Sequence, residues 1–492
     1  MKRFFGWKPS AAVLALVFIL GLVLMLIPLL RLTEYAVPWY DDYTYGLPAR
    51  LEAESGGGLQ GILKGAWYSV RTSWYAWQGT YASILFMSLM PGVWGEQFYF
   101  IGPVILILLP VLALFALTGV TARDVLGFDR CSTLSLQAVV TGAVLMLVYS
   151  AKEGFYWYNS GVHYVGMHAL CLLMTAMAVK LLKTEGKVRL VLLTVGTVLG
   201  AFLSAGANFV TALQGLLLLL TVAGVALLKR NRRFWLLLPA LLGYGAGFYL
   251  NVTAPGNQKR MEFYVGWGYG PLEAVLRSFQ EAFRHLAEFT GVITLLVLLL
   301  LAPIIWRAVK KSSFCFACPG LVLAWSVCLY ASGFTPSLYS LGHAGLSRTL
   351  NAVKITYQLL LFLNEAYWLG YLCRRLEKKG KKVWTGEACW WFYPVVAAAM
   401  LLTFSMASNQ AGNYSAYGAY YYIHTGEAYN FYHEYLDRVA LLKGGEQNVV
   451  VEPYHFRPWF LCMGDWAEDA DNEVNRAVAS WYGKDSVRTA AP

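Results

Sequence analysis

Apolar runs about the length of a bilayer crossing recur eleven times along this chain, and they leave few folds open to it. They lie near residues 11–31, 98–119, 132–150, 161–182, 189–206, 207–228, 234–250, 289–306, 319–334, 346–372 and 388–407. A helix rises about 1.5 Å per residue and a hydrocarbon core is about 30 Å thick, so about 20 apolar residues span it. Charged residues are only 14% of the 492 and hydrophobic ones are 58%, whereas soluble domains are about a quarter charged. The expectation is an all-α polytopic membrane protein of about eleven transmembrane helices, with a small extracytoplasmic C-terminal α/β tail. The basic start "MKRFFGWKPS" is that of a signal peptide. The run after it is too long for a signal core and ends at no small-residue cleavage site, so an uncleaved first span is expected.

The net charge of +11 would suit nucleic acid, but its distribution points to topology. Segments that alternation places on the N-terminal side include "KRNRR" (229–233), "RAVKK" (307–311) and "RRLEKKGKK" (374–382). Together with residues 1–10, 121–131, 180–189 and 387 they hold 22 Lys/Arg against 5 Asp/Glu, and the remainder holds 17 against 23. That asymmetry puts the N-terminus in the cytoplasm and the C-terminus outside. No nucleic-acid partner is implied. Of the eight cysteines only Cys462 falls outside, so no intrachain disulfide framework is expected; "CFAC" (315–318) has zinc spacing but no second ligand pair.

The chain divides at residue 407 into a transmembrane module (1–407) and a tail (408–492). Residues 79–92, "TYASILFMSLMPGV", are too short to span and read as a re-entrant or partly immersed helix packed on the bundle. The first external loop, 32–78, ends in a helical pattern of Leu59, Ile62, Leu63, Ala66, Trp67, Val70 and Trp74, expected to lie on the bilayer surface. In the tail, "NVVVEP" reads as a strand and "DADNEVNRAVASWYG" as a helix. No internal repeat is visible, which weighs against many secondary-transporter folds.

Most spans carry no formal charge. Polar groups gather instead at external ends: Asp41, Asp42, Glu153, Asn159, His163, Asn257, Lys259, Arg260, His343 and Arg348. This favours chemistry at the outer leaflet boundary over passage across the membrane. In "VPWYDDYTYG" (37–46), Asp41 and Asp42 lie among aromatic rings next to a span. They are either a solvated turn or a general base whose partner orients it or shares a metal ion, Mg or Mn. "APGNQKR" (254–260) offers Asn257, Lys259 and Arg260 as phosphate donors, or as snorkelling anchors. Along the tenth span Asn351, Gln358 and Glu365 recur every seven residues, with Arg348 and Lys354 adjoining. They bind lipid phosphate in a groove or glue helices together. "KEGFYWYNSGVHY" brings Glu153, Trp157, Asn159 and His163 to a span entrance, where sugars can stack on rings, although an aromatic belt also accounts for it.

A first span, an external loop with membrane-proximal acids, many further spans and an outer tail resemble the GT-C glycosyltransferase superfamily. Within it, "DDYTYG", "YWYNSGVHY", "APGNQKR", "SRTLN" and "NEVNRAVASWYG" look like an uncharacterised bacterial family of integral membrane proteins held to glycosylate envelope polymers. The resemblance implies an inverting transferase using a polyprenyl-phosphate-linked sugar in the bacterial cytoplasmic membrane. Asp41 or Asp42 would be base or metal ligand. Lys259, Arg260 and Arg348, with Lys354 and Asn257, would hold donor phosphate; Glu153, Trp157, Asn159, His163 and His343 would bind sugar or acceptor. The acceptor would be an envelope glycan or lipid. A lipid-linked polysaccharide flippase, and a polymerase or ligase sharing the external site, remain as other readings.

Overall fold

A computed structural model describes residues 8–381, 383–406 and 414–490. The basic flank at 1–7, Lys382, residues 407–413 with the start of the tail, and the terminal 491–492 lie outside the described residues. The fold is almost entirely helical, with one two-stranded sheet. Eight helical segments among the described residues are long and apolar enough to cross a membrane. They are Ala11–Tyr35, Glu96–Val125, Tyr158–Leu181, Lys187–Ala205, Phe209–Leu228, Arg232–Val252, Val292–Lys311 and Pro319–Leu341. Their outer faces carry exposed Leu16, Leu24, Val191, Leu192 and Leu199, rows that only a lipid surround tolerates. This is a multi-pass, all-α membrane protein.

The three remaining apolar runs are also helices, but fall short for physical reasons. Among the described residues Arg130–Met146 has 17 residues and Phe392–Met406 has 15, at or below the short end of what crosses a bilayer. Ser347–Lys378 has 32, yet its polar positions keep it from being apolar enough. Residues 79–92 form the short helix Tyr81–Ser88 and a tight turn at Pro91–Trp94. Ala82, Ile84, Met87 and Met90 bury it within the bundle.

The segment after the first span is a helical hairpin, Asp41–Glu54 followed by Gly58–Ala76. A Cβ at Gly65 would lie 2.4 Å from the Pro48 carbonyl oxygen, so only glycine permits this crossing. The amphipathic pattern is divided between two surroundings. Ile62, Ala66 and Val70 are buried against protein, whereas Leu59, Leu63 and Trp67 are exposed.

One segment breaks the bundle's regularity. Lys152–Tyr156 and Val162–Gly166 are wide, π-type turns on either side of the single turn Tyr158–Gly161. Asn351 holds the entry to this segment: its Oδ1 accepts from Ser150 N (2.8 Å) and its Nδ2 donates to Ser150 O (3.0 Å). At this position the polar stripe on the long helix is glue. π-type turns of this kind recur at functional sites, and this one delivers Trp157, Asn159 and His163.

In the tail, Asn448–Val451 is a strand and Glu473–Tyr482 a helix capped by Asn472. A second strand, Ser486–Thr489, pairs with the first in parallel, Asn448 opposite Ser486. The tail shares one continuous core with the bundle, joining Phe431, Tyr435 and Val478 to Leu29 and Tyr43. Phe460 stacks on Tyr156 at 5.9 Å. Trp481 packs on Gly46, whose absent Cβ would lie 3.1 Å from its ring. The tail is therefore seated firmly over the Asp41 helix.

Candidate functional site

The two adjacent aspartates open the helix Asp41–Glu54, where carboxylates complement the helix dipole. Successive helical residues point about 100° apart, and the pair divides accordingly. Asp42 is fully buried. Its Oδ2 accepts from Trp39 N (2.9 Å) and the Tyr99 hydroxyl (2.8 Å), and its Oδ1 accepts from Asn159 N (2.9 Å). Tyr99 in turn accepts from Tyr158 N at 3.1 Å. This carboxylate ties the hairpin to the irregular segment. Burial pushes its pKa up to about 7, against the three hydrogen bonds that favour the anion.

Asp41 points elsewhere. Its carboxylate makes no hydrogen bond or ion pair among the described residues, and its backbone carbonyl accepts from Asn159 Nδ2 (2.6 Å). Burial raises its pKa from 3.8, while Arg348 and Arg260 pull it back and Glu473 adds to the rise. Tyr40, just before it, has φ +26°, a conformation that L-residues seldom adopt and that is often stored at functional sites. The Tyr40 hydroxyl donates to Glu473 Oε2 at 2.7 Å.

The two arginines arrive on different elements. Arg348, in the first turn of Ser347–Lys378, places its guanidinium 5.5 Å from the Trp157 ring centroid, and its buried Nε has no partner. Arg260 lies 5.2 Å from the Trp77 ring centroid and donates to Gln78 Oε1. The "APGNQKR" segment positions it. Cβ atoms at Gly79 and Gly256 would meet Asn251 O at 1.9 Å and Trp77 N at 2.5 Å. Asn257 Oδ1 accepts from Gly79 N (2.9 Å) and its Nδ2 donates to Asn251 O (2.7 Å). Substituting Gly256 by Ala should therefore lower stability by about 1–3 kcal/mol, read as an earlier thermal unfolding transition in detergent, with Arg260 displaced.

Six of the residues singled out in the sequence thus converge, among them Asp41, Trp157, Asn159, Arg260 and Arg348. His163 joins them in the field of both arginines. Buried atoms without partners collect here, namely Trp157 Nε1, Asn159 Oδ1 and His163 Nδ1. Others serve differently. Asn257, expected as a phosphate ligand, here bonds through its amide to the backbone at Gly79 and Asn251. Lys259 is exposed. His343 is exposed, its Nδ1 accepting from Gly345 N at 3.1 Å. Glu473 is a tail residue that joins the site with no signal in the sequence to link it to Asp41.

The Asp41–Asp42 pair does not fit Mg or Mn. Asp42 is fully buried and already accepts three hydrogen bonds, and no group of three His, Cys, Asp or Glu able to hold a metal occurs among the described residues. No step of the chemistry is assigned to a metal.

Beside the site opens a cavity of about 1140 Å³, walled by Trp39, Glu153, Trp157 and Lys354 from the bundle side and by Tyr421 and Trp459 from the tail. Glu153 accepts from the Ser347 hydroxyl, and Lys354 Nζ lies 5.8 and 5.7 Å from the ring centroids of Tyr149 and Phe289. No protein-family model, curated protein or solved structure matches the chain.

Proposed function

We propose that this chain is a membrane glycosyltransferase, moving a sugar from a polyprenyl-phosphate donor to an acceptor hydroxyl on an envelope glycan or lipid. In this reading all eleven apolar runs cross the cytoplasmic membrane of a bacterium, with the N-terminus inside and the tail outside. The observation that carries it is the Asp41 carboxylate, uncommitted among the described residues and in the field of Arg348 and Arg260, with Arg348 held against the Trp157 ring, its buried Nε unpartnered among those residues, and Arg260 pre-oriented by Trp77 and Gln78.

The chemistry follows from charge. Arg348 and Arg260 hold the donor phosphate and stabilise the negative charge that grows on it. Asp41 takes the proton of the acceptor hydroxyl. The freed oxygen pair forms a bond to the anomeric carbon as the carbon–oxygen bond to phosphate breaks, its electrons leaving with the phosphate. The configuration inverts, and a phosphate leaving group needs no acid. A flippase would need a cationic path through the bundle; one cavity there, of about 130 Å³, is walled by apolar residues such as Leu117, Leu172, Phe362 and Leu363. A polymerase or ligase would share the external site.

Mass spectrometry of envelope glycans from a deletion strain tests the reading. A sugar lost on deletion and restored by the wild-type gene supports it, and an unchanged glycan rejects it. A second prediction concerns Arg348→Gln. Loss of a guanidinium from a desolvated phosphate contact costs about 2–5 kcal/mol, so transfer in isolated membranes should fall at least about tenfold. The pH profile should shift too. The base works ionised, so activity is lost as pH falls through the Asp41 pKa, which lies above 3.8. Removing the cation that lowers this pKa moves the acid limb to higher pH. A limb that stays in place would mean Arg348 does not act on Asp41.

A further inference from the structure

We propose that the cavity between bundle and tail is a saccharide-binding site that seats the acceptor, so that the acceptor is a glycan and not a lipid. This inference rests on the transferase reading above. The cavity measures about 1140 Å³, a little above the few hundred to about 1000 Å³ usual for ligand sites. An extended oligosaccharide suits such a volume better than a single ring does. It meets the catalytic side at Trp157, whose ring borders the cavity and also carries the Arg348 guanidinium. A sugar hydroxyl placed there would stand next to Asp41 and the donor phosphate.

The lining decides the class of ligand. Trp39, Trp157, Tyr421 and Trp459 all line the space and offer flat faces on which the C–H surface of a sugar ring can lie. Between them stand Lys152, Glu153, Glu288, Lys354, Glu427 and Arg457, three cations and three anions. A polyprenyl or acyl chain would strip water from all six without replacing a hydrogen bond. A polyanion such as a nucleotide would meet as many carboxylates as cations. A neutral or zwitterionic glycan uses both kinds, since its hydroxyls donate to carboxylates and accept from ammonium and guanidinium groups.

The tail half of the site is held ready. Phe460 is stacked on Tyr156, and Arg457 donates to Tyr454 O (3.0 Å) and Asp465 Oδ2 (3.2 Å). Lys152 Nζ bridges the two halves, 4.5 Å from the Trp459 ring centroid. Trp459 itself is 59% exposed, an apolar ring offered to a partner rather than to the core. The tail therefore reads as the part that selects the acceptor.

The test uses purified full-length protein in lipid nanodiscs, applied to an array of bacterial surface polysaccharides. At least one polysaccharide should retain the protein above empty nanodiscs. Trp459→Ala and Glu427→Gln, each with wild-type unfolding temperature, should weaken that retention at least tenfold. Retention of no polysaccharide overturns the proposal, as does retention that both cavity variants share with wild type. If the cavity variants lose binding while Asp41→Asn still restores the glycan in cells, the cavity stands and the transfer chemistry falls. If Asp41→Asn cells lose the glycan and no polysaccharide binds, the transfer chemistry stands and the cavity falls.

Discussion

Asp41→Asn should leave the protein folded and in the membrane at wild-type abundance while, under the proposed transferase function, the glycan that depends on it disappears. The carboxylate has no hydrogen-bond partner to lose, and its backbone carbonyl, which does have one, is untouched. What the charge contributes to the helix N-terminus is only about 0.3–1 kcal/mol, and Asn is itself a good residue there. Burial already works against the ionised form, so replacing it with a neutral amide offsets part of that small loss. Removal of a positioned base, in contrast, costs about 10²–10⁴ in rate. The two effects differ by several kcal/mol, so the variant separates function from stability. Membrane abundance and unfolding temperature are measured alongside the glycan profile of the complemented deletion strain. Full restoration of the glycan by a well-inserted Asp41→Asn protein would remove Asp41 from the chemistry.

What the sequence yields and what it hides have physical causes. Apolar length needs no tertiary information, so each of the eleven runs is a helix, and the strand at 448–451 and the helix at 473–482 follow from local pattern alone. In "DDYTYGLPAR" the Asp pair can be read as a solvated turn, and Gly46 and Pro48 both disfavour helix. The segment is a helix because Trp481 needs the space at Gly46 and Gly65 must approach Pro48, contacts made by distant segments. With a turn assumed, the two aspartates look like one site. On a helix they must face apart, and only the fold shows which faces the protein. In "APGNQKR" the composition is that of a phosphate loop, but its Gly256 and Asn257 serve helix contact and only Arg260 reaches the site. Glu473 bonds to a tyrosine 433 residues away, and no local pattern announces such a pairing.

Asp42→Ala, by the same geometry, should fail by unfolding. The substitution leaves Trp39 N and Asn159 N, and the Tyr99 hydroxyl, facing a void in a fully buried place. Each unsatisfied buried group costs about 1–3 kcal/mol, so a loss of about 3 kcal/mol or more is expected, against a typical total of about 5–15 kcal/mol. Asp42→Asn is gentler but not neutral, since its NH₂ group must confront one of those donors. The pH dependence carries a further signature. The folded pKa is raised from 3.8 to about 7, so the stability this group contributes is fully present below about pH 3.8 and is lost as pH rises through about 7. Wild type should therefore lose unfolding temperature across that window, and Asp42→Asn should show a flatter dependence there. Glycan loss alone would make Asp41 and Asp42 look equivalent. The unfolding transition distinguishes them, because only the Asp42 variants should lower it. An Asp42→Ala protein that unfolds with wild type would show that this carboxylate does not tie the hairpin to the bundle.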